Sequence, residues 1–177
     1  NYGRVHWVAI VPEWQGRGMT SSARGSPGFS HGWMNYELIK KGIQPESQRS
    51  GLERHVYVFG GEERIWFGPE GGQYALFFPP GVKAYTFEDW KTPALMDTEP
   101  FAVQASSPSR IVFEKSATLV NKAGTMLKLR LEREVQVLEK DVIAQSLKVS
   151  IPDQVRLVGY QSRNVLANTG PQPWTES

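Results

Sequence analysis

The sequence predicts an all-β fold: an antiparallel β-sandwich carrying one or two short helices. Three observations predict it. Strand-length runs rich in β-branched and aromatic residues recur along the chain, separated by clusters of Gly, Pro, Ser and Asn. Residues 126–138 alternate almost without break, with Leu127, Leu129, Leu131, Val135 and Val137 on one face and Lys128, Arg130, Glu132, Glu134 and Gln136 on the other. Only one stretch carries clear start and stop signals for a helix.

The elements follow in order. Residues 5–11 form a β-rich run stopped by Pro12, and residues 16–20 can begin its hairpin partner. Serine and glycine dominate residues 21–32, a loop. Asn35 is a capping residue, followed by the early acid Glu37, the late Lys40 and Lys41, and the terminal Gly42; this predicts a short helix. A polar loop over 43–54 leads to a strand at 55–59, and a further strand at 74–78 ends at Pro79, Pro80 and Gly81. Strands are then expected at 101–105, 110–115 and 117–121, with turns at 106–109 and 121–124. The long strand at 126–138 is wet on one side, as in an antiparallel sheet. Arg133 interrupts its apolar face, so either a bulge shifts the register or the guanidinium points inward to a carboxylate; the ion pair is the expectation. Strands at 155–161 and 163–167 complete the series, and 168–171 turns onward.

A chain of 177 residues, 40% of them apolar, is one domain with a real core, or part of a larger one. The formal net charge of +2 comes from mixed signs along the chain, which points away from nucleic acid as a partner. With no cysteine there are no disulfides or thiolate metal sites. No apolar run approaches the ~20 residues that span a bilayer. The start at Asn1 fits a processed product, and a periplasmic or extracellular location is the expectation. Residues 1–177 are expected to be a single sandwich domain, incomplete at the C-terminus, whose exposed sheet is covered by a further segment or a second chain.

Residues 60–72 hold the chemistry. Glycine pairs Gly60-Gly61 and Gly71-Gly72 bracket Glu62, Glu63, Arg64, Ile65, Trp66, Phe67, Gly68, Pro69 and Glu70. Read as a strand, this places Glu62, Arg64 and Trp66 on one side and Glu63, Ile65 and Phe67 on the other. Two readings stay open: a polar pocket with an aromatic wall, or an ion-paired clasp that ties a buried turn together. A pyranose has hydroxyls that carboxylates and a guanidinium can bond, and an apolar C–H face that an indole can cover. Glu62, Glu63, Arg64, Trp66, Glu70, His55, Asp97 and Glu99 are therefore the candidate sugar-binding residues, Asp97 and Glu99 having a loop that merely solvates its charges as the alternative. Glycoside hydrolysis would need two of these carboxyls ~5–9 Å apart. A hard divalent ion on His55 with Glu62 and Glu63 is a weaker reading.

The series Gln15-Gly16-Arg17-Gly18-Met19-Thr20-Ser21, Gly32-Trp33-Met34-Asn35, the 60–73 motif and Asp97-Thr98-Glu99-Pro100-Phe101 resembles a family of uncharacterised bacterial proteins with a galactose-mutarotase-like β-supersandwich. Ser162-Arg163-Asn164 and Asn168-Thr169-Gly170 look like its later strand and turn. The resemblance implies the N-terminal part of such a supersandwich, with a carbohydrate held on the concave sheet face and no cofactor. Epimerases of that wider class use a histidine acid and a glutamate base. His6, His31 and His55 lie in no matching motif, and the glutamate of that class falls beyond Ser177, so no catalytic role is carried over. The competing class is a non-catalytic structural or interaction β-domain.

Overall fold

The computed structural model describes residues 35–59 and 64–174. The hairpin expected at 5–11 and 16–20, the loop at 21–32, and Glu62 and Glu63 lie outside the described residues.

Four strands form one antiparallel sheet in the order β1-β2-β3-β4: β1 Ala102–Ser106, β2 Arg110–Val120, β3 Met126–Leu138 and β4 Gly159–Asn168. The runs expected at 110–115 and 117–121 are a single strand, because Ser116 continues the ladder opposite Arg130. The β2–β3 turn follows its sequence. Asn121 Oδ1 accepts from the Thr125 amide at 2.8 Å, and Gly124 takes φ 87°, a conformation that glycine adopts without a Cβ clash.

β3 is the longest strand among the described residues, and its odd positions turn inward: Leu129, Leu131 and Arg133 are buried while Lys128 and Arg130 are exposed. The β2–β3 and β3–β4 registers both run through Arg133 without a shift, so there is no bulge at that position. The guanidinium does point inward, and Nη1 donates to the amide oxygen of Asn164, its cross-strand neighbour, at 2.8 Å. The register shift lies instead between Val103 and Ala105 on β1.

The inner face of this sheet is covered by irregular chain. Phe113, Leu119, Leu129 and Leu131 pack with Leu95 and Phe101, and Ile65, Phe67 and Leu76 close over them. Among the described residues there is one sheet, so the architecture is an antiparallel sheet with short helices. The expected strands at 55–59 and 74–78 are not strands. Their backbone groups are met singly instead of by a ladder: the Tyr57 amide donates to Asp97 Oδ2, the Asn35 amide to the Phe59 carbonyl, and the Lys122 amide to the Ala75 carbonyl. These tertiary partners override the β-propensity of the run. Residues 155–158 also stand outside β4.

Among the described residues three short α-helices complete the fold. α1, Tyr36–Lys41, matches its sequence signals: Asn35 Oδ1 accepts from the Leu38 amide at 3.0 Å, and Gly42 ends the helix at φ 70°. α2 is Ala94–Asp97, and α3 is Lys140–Leu147. α3 begins at Glu139 with no side-chain cap bond, which removes the signal that would announce it. It seats Ile143 against Gly159, where a Cβ would stand 2.8 Å from Ile143 Cδ1. Among the described residues no helix is long and apolar enough to cross a membrane.

Candidate functional site

The one turn of α2 organises the site. It follows Pro93, whose fixed φ leads into a helix while the pre-proline residue stays extended. Three successive residues of this turn are buried and point to three different places. Leu95 joins the sheet core, and Met96 joins a second cluster with Ala75, Phe77 and Phe78. Asp97, 4% exposed, accepts from the Tyr57 amide through Oδ2 at 2.8 Å and from Arg64 Nη1 through Oδ1 at 3.1 Å. A carboxylate taken out of water needs such charge-assisted partners to stay ionised.

Arg64 is held between this carboxylate and an aromatic face. Its guanidinium carbon lies 4.2 Å from the centroid of the Trp66 ring. Trp66 stacks on Phe77 at 4.9 Å, and Phe77 stacks on Trp90 at 4.5 Å, giving an aromatic column. The indole N–H of Trp66 donates to Glu70 Oε1 at 2.8 Å, and Glu70 is exposed. Phe67 packs against both the sheet core and the Met96 cluster, and its amide donates to the Met96 sulfur at 3.2 Å. Of the alternation expected here, Ile65 faces the sheet core and Trp66 the aromatic column, but Phe67 touches both, and no ladder supports the segment.

The other candidates are distributed. His55 accepts a place beside Phe87, with ring centroids 4.6 Å apart, and its Nδ1 lies 2.9 Å from the Trp90 carbonyl. Glu99 turns to the sheet and pairs with Lys115 at 2.6 Å, and Lys115 also donates to the Pro100 carbonyl. Arg64, Trp66, Glu70 and Asp97 are thus brought together, Glu99 stands apart from them, and His55 connects through Trp90. Among the described residues no group of three or more His, Asp or Glu is placed to hold a metal ion.

Reading the sequence missed a polar cleft of about 400 Å³, bounded by Glu46, Arg49, Arg54, His55, Glu88 and Lys91. These residues come from three 3-10 turns, Glu46–Gln48, Gly51–Arg54 and Phe87–Asp89, and the residues beside them. No spacing in the chain joins residues 46–55 to 88–91, so only the folded backbone reveals the cluster. The nearest signal was the polar character of 43–54.

A sheet protein with a charged and aromatic site in the irregular chain beside it is the class these observations define. The chain belongs to DUF6786, a family of unknown function whose family model matches residues 3–177. No curated protein and no solved structure matches the chain.

Proposed function

We propose that the chain is a carbohydrate-binding or carbohydrate-processing β-protein of mutarotase-like fold, with the sugar meeting the Arg64–Trp66–Glu70 group beside the sheet. The observation that carries this reading is the half-buried indole of Trp66, with an exposed carboxylate on its N–H and a guanidinium at its face. A sugar supplies hydroxyls for Glu70 and Arg64 and C–H groups for the indole. Asp97 fits a supporting part, since its two oxygens are engaged by Arg64 and the Tyr57 amide.

A second reading has its own observation. Arg64 pairs with a carboxylate that is 4% exposed, which is how a clasp in a non-catalytic structural or interaction domain is built. Titrating the chain with a panel of neutral mono- and oligosaccharides, alongside Glu70→Gln and thermal unfolding of each, separates the two. Sugar binding that weakens in Glu70→Gln at unchanged melting temperature supports the sugar site. A panel that never binds the parent chain leaves the clasp.

A further inference from the structure

The cleft beside His55 is lined by other side chains than the Trp66 group, and both of its arginines are tied to backbone. Arg49 Nε donates to the Gln44 carbonyl at 2.9 Å, and its guanidinium carbon lies 5.4 Å from the centroid of the Tyr57 ring. Tyr57 is itself fully buried, and its hydroxyl accepts from the Gln44 amide at 2.9 Å. Arg54 Nε donates to the Arg49 carbonyl at 3.1 Å. In both arginines the inner N–H is thus spent on backbone, which orients the outer fork without neutralising it. Among the described residues neither guanidinium forms an ion pair with a carboxylate.

The remaining walls have complementary chemistry. A carbonyl oxygen can only accept, so the contact between His55 and Trp90 puts the proton on Nδ1 and leaves Nε2 as an acceptor in the neutral ring. Lys91 and Glu46 pair at 3.0 Å and cancel each other, and the Lys91 ammonium, through that hydrogen bond and its charge, holds the Glu46 carboxyl below its ordinary value. Arg49 adds a smaller pull on the same carboxyl, so the three cations Arg49, Arg54 and Lys91 face the two carboxylates Glu46 and Glu88. A volume of about 400 Å³ is within the range of small-molecule sites.

We propose that this cleft binds a small hydroxylated anion, its carboxylate or phosphate oxygens on Arg49 and Arg54 and its hydroxyls on Glu88 and His55. Arginine is suited to this because its planar fork matches two oxygens of an oxyanion. The proposal does not rest on a sugar at Trp66, and its test separates the two sites.

The experiment is calorimetric titration of the chain with D-glucuronate, inorganic phosphate and glucose, repeated on Arg54→Gln and Arg49→Lys. At least one of the two anions is expected to bind and glucose not to compete for it. Glucuronate alone identifies a carboxylate ligand, and phosphate alone identifies a phosphorylated one. Because a hydrogen bond to a charged group is worth roughly a tenfold change in affinity, Arg54→Gln should weaken binding about tenfold. Arg54 is exposed, so this variant should keep the parent melting temperature and stays informative if Arg49→Lys fails to fold. Absence of binding by both anions, competition by glucose at equal concentration, or an unchanged affinity in Arg54→Gln would overturn the proposal.

Discussion

The sheet at 102–168 and the irregular chain at 35–101 both bury apolar side chains and are held by different means. In the sheet, each residue of β3 has a cross-strand neighbour, and burial repeats along the strand. In the irregular half, single bonds from carbonyls, caps and one carboxylate hold segments that carry no ladder. Large aromatic rings then fill the space, with Phe77 between Trp66 and Trp90. A repeated pattern spreads stability over many small contacts; an irregular core concentrates it in a few side chains, and the candidate site is built from those few.

That contrast can be broken at Phe77, where the largest effect is expected. Phe77→Ala removes a fully buried ring from the middle of the aromatic column and should cost about 3–5 kcal/mol in chemical denaturation. Leu131→Ala, at an equally buried position of the sheet, should cost about 2–5 kcal/mol, while leaving the tryptophan fluorescence closer to the parent. A Phe77→Ala cost well below that of Leu131→Ala would show that the irregular half is not concentrated in its rings.

Asp97→Ala comes next. It removes one acceptor from the Tyr57 amide and the carboxylate from Arg64, and because Arg64 stays partly exposed the loss should be about 1.5–3 kcal/mol. Hydrogen exchange should rise at Tyr57 and leave β2 and β3 unchanged. Equal protection loss across the sheet would mean that the two halves are one cooperative unit.

These three positions also differ in how legible they were in the sequence. Alternation along 126–138 announced a strand and its inner face, because a period of two survives wherever one face stays wet. Asn35 and Gly42 announced α1, because capping is a local bond. The same β-propensity at 55–59 and 74–78 misled, because the deciding partners, Asp97 for Tyr57 and Lys122 for Ala75, lie far along the chain. Arg133 was legible as an inward guanidinium, although its Nη1 bonds across the strand to the amide of Asn164. In the site, the grouping of Arg64, Trp66 and Glu70 was legible because they are close in sequence. Their connection to Asp97 and the cleft around Arg49 and Arg54 was not, because both depend on how loops return.

Smaller effects sharpen the edges of the comparison. Asn35→Ala should cost about 1 kcal/mol of helix stability, seen as faster amide exchange confined to α1, since α1 buries no residue. On the outer face of the sheet, the hydrogen bond from Arg110, more than its charge alone, holds the Glu134 carboxyl below its ordinary value, against the opposing pull of desolvation. A lowered carboxylate pKa adds stability above the unfolded-state value and loses it as pH falls through the folded value. The parent and Glu134→Gln should therefore differ slightly in melting temperature near neutrality and converge in acid. A difference that grows on acidification would contradict that sign.

The most direct test of the sugar site is the indole N–H resonance of Trp66 during carbohydrate titration. It is one of six tryptophan signals and is assigned by its loss in Trp66→Phe. Because that N–H is bonded to Glu70 at the exposed rim, a bound sugar should shift it in a saturable way while the amides of β2 and β3 stay in place. A Trp66 signal that no mono- or oligosaccharide moves, in a chain that is folded by its sheet amides, would contradict the sugar reading and leave Arg64 and Asp97 as a structural clasp.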